Sequence, residues 1–574
     1  MRHWIGSGWM LCAALAALAG GREAGAQVPV GERGPPAALV AQAGLERLPA
    51  ADDSDDSANG SSTDDRLREL ELRLEEQRAI SEGMRLDFER RLTAPPPPPA
   101  PPPYVVGSVL GMVPVWNNGL EFRSLNKDYY FHIGGRTQLD FVDLSSPNPT
   151  DALVNTQQRP NDGLQQAVDM RRARLRAEGT MYEFSEWCVE YNFVNNAVVQ
   201  GPNTTAPQLP NGNYPNNGTS IRTLEAQVVN VPSPTDLWWN FRKLPILGNI
   251  TIGNQKEPFS IERLQSSRYL DFMERNYGQD AFISPNANGF APGIQTWNNT
   301  PDRRTAYALG VFKYVTNAYV FDVGTGEWEV AGRITRALIY DEASEGRYLL
   351  HVGIGASQRA CNDQQIRYFS RGMLWNGPGS IIPLYADTNY MNANYQDILV
   401  PEMMFQWGSL FVQSEFQANW TRGAQTISGT YTNPTLPVGT NLGTLFFYSY
   451  YVQVGYFLTG ESKAYDYQKG LVGRIIPYEN AFATHTSKGN IFGTGAWQVL
   501  GRFQQLDLNS KQMTGGRLTD FTFGLNWFLN PNMKIQFNYD LMFRDAGAAP
   551  NGGPADAGTH GIVNGLGMRY AADF

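Results

Sequence analysis

The chain has 574 residues, a formal net charge of −9, three cysteines, 42% apolar residues and a mean hydropathy of −0.36. Past its first residues it offers no run of about 18 apolar residues, which excludes a helical membrane protein. A barrel is not excluded, because alternating strands dilute their own hydrophobicity.

The amino terminus reads as an export signal. Arg2 and His3 precede an apolar run from Met10 to Leu18, and Ala24-Gly25-Ala26 supplies a small-x-small cleavage site before Gln27. The apolar run is too short for a spanning helix, which needs about 20 residues. Residues 1–26 are therefore expected to be removed, Cys12 with them. Cys188 and Cys361 alone make no disulfide framework in so long an exported chain, and neither has metal-ligand neighbours. No metal, cofactor or nucleic-acid partner is expected.

Residues 27–63 are rich in Ala, Gly, Pro and Asp and read as disordered, since they hold too little apolar surface to bury. From 64 to 92, Leu67, Leu70, Leu74, Met84 and Phe88 fall near heptad spacing among Glu and Arg. The pattern predicts a helix with coiled-coil tendency, weakened by Gln77, Ser81 and Gly83; a solitary solvated helix fits equally. Residues 93–103 form a proline-rich linker, with eight prolines between Pro95 and Pro103. It is expected to be a polyproline II spacer of roughly 28 Å.

Residues 104–574 read as an all-β transmembrane barrel of antiparallel strands. Tyr129, Phe131, Ile133, Leu139 and Phe141 oppose His132, Arg136, Gln138 and Asp140, and Trp187, Val189, Tyr191 and Phe193 oppose Glu186, Cys188, Glu190 and Asn192. The clearest stretch is Asp520–Arg544. Phe521, Phe523, Leu525, Trp527 and Leu529 alternate with polar or small residues, Asn530-Pro531-Asn532 breaks the run, and Met533, Ile535, Phe537, Tyr539, Leu541 and Phe543 resume it. Period two sustained this long exceeds the five or six residues usual in soluble strands and suits the roughly 9 to 11 of a tilted membrane strand. The length suggests roughly 16 strands. The chain ends on Phe574, which resembles the terminal aromatic that bacterial outer-membrane assembly machinery recognises.

Barrels of this kind end at the periplasm and keep their periplasmic turns short. Counting back from Phe574 makes Asn530–Asn532 a periplasmic turn, Asn509–Gly516 an outer loop, and Thr459–Gly495 periplasmic. A segment that long is expected to fold into the lumen. It carries Lys463, Lys469, Arg474 and Lys488 against Glu461, Asp466 and Glu479.

Several stretches, in order, resemble the phosphate-selective porin O and P family: Arg171-Arg172-Ala173-Arg174-Leu175, Gly253-Asn254-Gln255-Lys256-Glu257-Pro258-Phe259-Ser260, Ser266-Ser267-Arg268, Phe272-Met273-Glu274-Arg275, Thr459-Gly460-Glu461-Ser462 and Gly516-Arg517-Leu518-Thr519-Asp520. The resemblance implies a 16-stranded trimeric porin in outer-membrane lipid, constricted by inward loops and one long periplasmic turn, with an arginine ladder along the pore. Arg371-Gly372-Met373 departs from the family's Arg-Pro-Glu element.

Anion passage needs fixed positive charge where the lumen narrows. Bulk charge gives no support, because residues 104–574 hold 35 Lys and Arg against 39 Asp and Glu. Position gives candidates: Arg136, Arg172, Arg174, Arg176, Arg304, Arg333, Arg359, Arg502, Lys534 and Arg569 share the polar parity, as do Asp140, Glu178, Glu186, Glu190, Glu415 and Asp540. Arg172, Arg174 and Arg176 on one face are the sharpest feature, since like charges repel unless acids or anions answer them. Lys256 shares parity with Ile250 and Ile252, so alternation does not place it in the pore. The expected function is passive uptake of small anions such as phosphate. A non-selective porin, and a structural anchor with a periplasmic tether, stay open. An enzyme is not expected, since no remaining histidine lies in a nucleophile motif.

Overall fold

The computed structural model describes residues 63–93, 111–147, 166–194, 197–199, 228–230, 232–245, 247–283, 289–314, 327–361, 365–375, 377, 384–486, 489–545 and 560–574. The expected signal, most of the acidic segment and the proline linker lie outside them. Two compact units are present, Met1–Val105 and Val106–Phe574. In the first, helix α1 spans Thr63–Thr93. Its surface carries an Arg73–Glu69 pair at 2.8 Å, and Leu67, Leu70 and Leu74 are exposed.

The second unit is a closed antiparallel barrel of 16 strands. In chain order these are β1 (Tyr130–Ser145), β2 (Gln166–Met181), β3 (Ser185–Asn192), β4 (Ser233–Leu244), β5 (Gly248–Gln255), β6 (Ala291–Asn299), β7 (Thr305–Lys313), β8 (Trp328–Tyr340), β9 (Tyr348–Ala360), β10 (Tyr395–Trp407), β11 (Leu410–Thr426), β12 (Asn441–Phe457), β13 (Ala496–Ser510), β14 (Met513–Asn530), β15 (Met533–Asp545) and β16 (His560–Asp573). Each pairs with its sequence neighbour. β16 pairs with β1 from Asn564↔Ser145 to Asp573↔Arg136, which closes the ring. At the seam the Gly135 N–H donates to the Phe574 carbonyl at 2.7 Å, and Phe574 N–H donates back at 3.1 Å.

Alternation decides the two faces. Phe521, Phe523, Phe537, Tyr539 and Leu566 are exposed on the outer wall, while Asp520, Thr522, Asn538 and Asp540 between them are buried inside. That is the pattern of a wall facing lipid, with the polar side chains turned inward. The break at Pro531 is a two-residue turn, Pro531-Asn532, in which Asn532 N–H donates to Asn530 Oδ1 at 2.9 Å.

Three boundaries differ from the sequence expectation. The ring begins at Tyr130 and not soon after Tyr104. Before it stands a short hairpin, Met112–Trp116 with Leu120–Ser124, which pairs only with the start of β1, because five-residue strands cannot cross the wall. The expected outer loop Asn509–Gly516 is the tight turn Lys511-Gln512, since β13 and β14 stay paired out to Ser510↔Met513. The long segment after β12 does not act as one piece, as described below.

A sixteen-stranded ring leaves room for an aqueous channel. Here much of that room is filled by chain that folds inward between β5 and β6 and between β9 and β10. Phe259, Phe272, Met273, Tyr277 and Phe282 from the first stretch pack with Tyr368, Met373, Leu374 and Tyr385 from the second, against wall residues such as Leu506 and Val563. The apolar core of this barrel therefore lies in its lumen.

Candidate permeation pathway

Residues 256–283 fold inward and constrict the lumen, and their conformation follows from where their backbone groups find partners. A single helical turn, Ile261–Leu264, begins at Ser260, whose Oγ accepts from Arg263 N–H. The buried Glu415 carboxylate of β11 accepts from Ile261 N–H at 2.6 Å and Glu262 N–H at 3.4 Å, satisfying amides that the turn leaves unpaired. At the other end Lys256 Nζ donates to the carbonyls of Leu264 (3.2 Å) and Gln265 (3.1 Å). Arg275 donates to the carbonyls of Glu262 (2.5 Å) and Gln265 (2.8 Å). Cations are the stabilising partners for a cluster of carbonyl oxygens. Neither Lys256 nor Arg275 has a carboxylate at ion-pair distance among the described residues.

Beyond this tip the loop is tied to the wall. Arg136 donates to Ser266 and Ser267 at 3.0 Å and to Glu190 at 2.7 Å. Glu274 is a hub, taking Arg171 at 2.7 Å, Arg569 at 2.7 Å and Arg172 at 3.7 Å. Burial would raise the Glu274 carboxyl, but these three arginines hold it well below the usual carboxylate range. Tyr277 Oη donates to Asp520 at 3.1 Å, and Arg371 from the stretch between β9 and β10 reaches Asp280 at 2.5 Å. That stretch is further held by Arg171, Arg371 and Arg367 lying over Trp375, Phe369 and Tyr390, with centroid distances from 4.0 to 5.4 Å.

The long segment after β12 divides in two. Its first half enters the lumen: Lys463 reaches Asp271 of the constriction at 2.5 Å, Tyr465 Oη lies 2.9 Å from His351 Nδ1, and Arg333 donates to the carbonyls of Lys469 (2.7 Å) and Gly470 (2.9 Å). Its second half, the hairpin Phe482–Thr486 with Gly489–Gly493, sits at the outer wall, where Phe482 packs on Trp527 at 5.6 Å. The expectation that all of Thr459–Gly495 folds inward fails there, because Phe482 and Phe492 are apolar groups with no place in a hydrated lumen.

The positions picked by parity fall into distinct groups. Arg136, Arg333, Arg359, Arg502, Lys534 and Arg569 are buried. Arg333 pairs with Glu402 at 2.6 Å, Arg359 with Glu329 at 2.8 Å, Arg569 with Asp140 at 2.6 Å, and Arg502 with Glu262. Lys534 donates to the Leu270 carbonyl at 2.8 Å. Arg304 is not on a strand but in the turn between β6 and β7, its N–H donating to Asp302 at 3.1 Å. Lys469 is exposed, Arg474 pairs with Asp573, and Lys488 lies outside the described residues. In the arginine triplet, Arg172 is buried against Gln138 (2.7 Å), Arg174 pairs with Glu190 (3.0 Å), and Arg176 takes Glu178 (2.7 Å) and Asp236 (2.9 Å).

Among the described residues, the charged and aromatic side chains of one sector of the lumen wall keep accessible surface. Arg174, Arg176 and Glu178 on β2, Asp236 and Trp238 on β4, and Gln295 and Trp297 on β6 are half-buried, as are Lys256 and Arg275 opposite them. Lys256 lies within reach of the charges of Arg275, Asp236 and Arg136, and Arg275 within reach of those of Glu262, Glu274 and Arg136. Burial first, then Arg275, pulls Lys256 well below the ordinary lysine value, and burial brings Arg275 down to about 10.

Parity missed Lys256, Arg275 and Arg171. Lys256 follows the last residue of β5, so its parity with Ile252 is irrelevant. Arg171 is the extra residue of a bulge, where Gln138 pairs with Arg172 and Leu139 with Met170, and this turns both neighbouring arginines inward. The motif Phe272-Met273-Glu274-Arg275 was the available signal for the loop residues.

A family model described as phosphate-selective porin O and P matches residues 131–569. The chain is 21% identical over 443 residues to Porin O of Pseudomonas aeruginosa, covering 73% of this chain and 84% of that one. It is 23% identical over 471 residues to an uncharacterised protein of Caulobacter vibrioides, covering 80% and 76%. Among solved structures, it is similar to the outer-membrane channel DcaP of Acinetobacter baumannii, with 10% identity, TM-score 0.39 and coverage of 79% and 99%. It is also similar to OmpF of Salmonella typhi, with 9% identity, TM-score 0.40 and coverage of 80% and 100%.

Proposed function

Because this chain belongs to the phosphate-selective porin O and P family and is an outer-membrane porin, we propose that its channel prefers small anions, phosphate among them. One observation carries the reading: at the constriction, Lys256 and Arg275 are held by carbonyl dipoles and not by carboxylates. A carbonyl orients a cation without cancelling its unit charge, whereas the carboxylates on Arg174 and Arg176 offset theirs. The focused field in a narrow, low-dielectric passage then comes from the loop tip. Arg174 and Arg176, half-buried on the facing wall, present guanidinium groups that an oxyanion can share with Glu190 and Glu178.

Reversal potentials in a salt gradient test this. The native channel is expected to favour anions, and Lys256→Gln with Arg275→Gln to shift it toward cations. A native channel that already favours cations would refute the proposal. The rival is a non-selective porin, favoured by Glu178 and Asp236 on the same accessible wall; it predicts near-zero reversal potential before and after substitution. The pore is further read as one of three in a homotrimer, inserted by assembly machinery that recognises Phe574. Normal surface trimers from a variant lacking Phe574 would contradict that recognition.

A further inference from the structure

We infer that the hairpin Phe482–Thr486 with Gly489–Gly493 is a membrane foot, seated beside the barrel in the phospholipid of the periplasmic leaflet. It rests on the porin reading only in that the barrel must lie in a bilayer.

The placement begins at the rim that carries Phe574. There Trp497 of β13 and Trp527 of β14 stack at 4.9 Å on the outer, lipid-facing parity. Paired indoles at a barrel rim mark the membrane–water interface. Both donate their Nε1–H to the carbonyl of Thr494, at 3.1 and 2.7 Å, and Ala481 N–H donates to the Leu529 carbonyl at 2.6 Å. The two ends of the hairpin are thus fastened to the aromatic girdle itself.

Its own side chains match that location. Phe482 packs edge-on against Trp527 yet remains 62% exposed, and Phe492 is 78% exposed. The register Phe482↔Gly493 and Ala483↔Phe492 puts the two rings on opposite faces of the hairpin. A two-stranded hairpin lying in water on a protein surface would turn one face to the protein and a polar face to solvent. This one presents a large aromatic group on each face, and its strands contain no acidic residue. Burying a phenylalanine ring away from water is favourable, so leaving both in water beside a lipid surface is the less stable arrangement. The occupant is lipid because the patch continues the wall that lipid already covers, at the depth where the indoles stand. The same chain segment therefore grips the pore with Lys463 and Tyr465 and the bilayer with Phe482 and Phe492.

The test uses the full chain in phospholipid vesicles, with a nitroxide label placed at Phe492→Cys, at Phe482→Cys, or at Phe521→Cys on the outer wall. Cys188 and Cys361 are buried, and with Cys12 replaced by Ser labelling is directed to the new thiol. The expected result is that dissolved oxygen relaxes the labels at 492 and 482 more than a water-soluble nickel chelate does, as at 521. Stronger relaxation by the chelate at both hairpin positions, with 521 still in lipid, overturns the foot and leaves the porin intact. Protection from both reagents means that a second copy covers the hairpin, which also overturns it. A label at 521 that is open to the chelate removes the bilayer, and the porin reading and the foot fall together.

Discussion

The two sides of this barrel use the same alternating sequence for different ends. Along β9–β16, the inward arginines are buried under the loops and partnered, as in Arg569 with Asp140 and Glu274 or Arg359 with Glu329. Along β2, β4 and β6 the inward residues keep part of their surface accessible, and the cations facing them from the loop tip are held by carbonyls. Polar parity in a barrel strand therefore marks the lumen but does not separate a group that holds the plug from one that meets the solute. Partners and accessibility make that separation.

The sharpest way to break this comparison is on the buried side. Glu274→Gln should leave three arginines short of their carboxylate, and removing one partner of a buried pair costs about 3–5 kcal/mol. Denaturant unfolding of the variant reads that loss directly; a change within about 0.5 kcal/mol, the usual range for surface substitutions, would mean that the hub holds nothing.

A second prediction separates the halves of the segment after β12. Deleting residues 464–473 removes the part that enters the lumen, so single-channel conductance should rise. Deleting 482–493 removes only the outer hairpin and should leave conductance unchanged. Equal conductance in both variants would contradict the division.

The smallest expected effect is a pH dependence. Lys256 has its pKa pulled below the ordinary lysine value of about 10.4, so it carries charge fully only at lower pH and loses it as pH rises through the depressed value. Anion preference should therefore strengthen on acidification. Lumen carboxylates titrate in the same direction, and Lys256→Gln isolates the lysine part, which should vanish. An unaltered pH profile in that variant would assign the whole effect to the acids.

Much of the wall was legible in the sequence, because a strand's period is a local property: Phe521 to Phe543 reveals outer face, inner face and turn without any tertiary knowledge. The plug was not legible by the same means. Glu274 is set by three arginines more than a hundred residues before it or nearly three hundred after it, and nothing local to it signals that convergence. Arg171 was hidden because a bulge breaks the period at the very place where the period was being used. Lys256 was misplaced because a parity argument has no meaning once the strand has ended. The long segment after β12 was recognised by its length, but length does not say which half goes inside.

The seam between β16 and β1 has a consequence for how the molecule is made. Arg569 and Asp140, which meet across it, lie 429 positions apart, and the final residue, Phe574, bonds to Gly135 in the first strand of the ring. Until the last strand exists the sheet has two open edges, each a row of unpaired amides and carbonyls ready to accept a wrong neighbour. Contacts this distant in sequence also form slowly, since a very large loop must close before they return any stability. The chain therefore passes through a long interval as an open, adhesive sheet, and this barrel depends on being shielded from its own kind until its two ends meet.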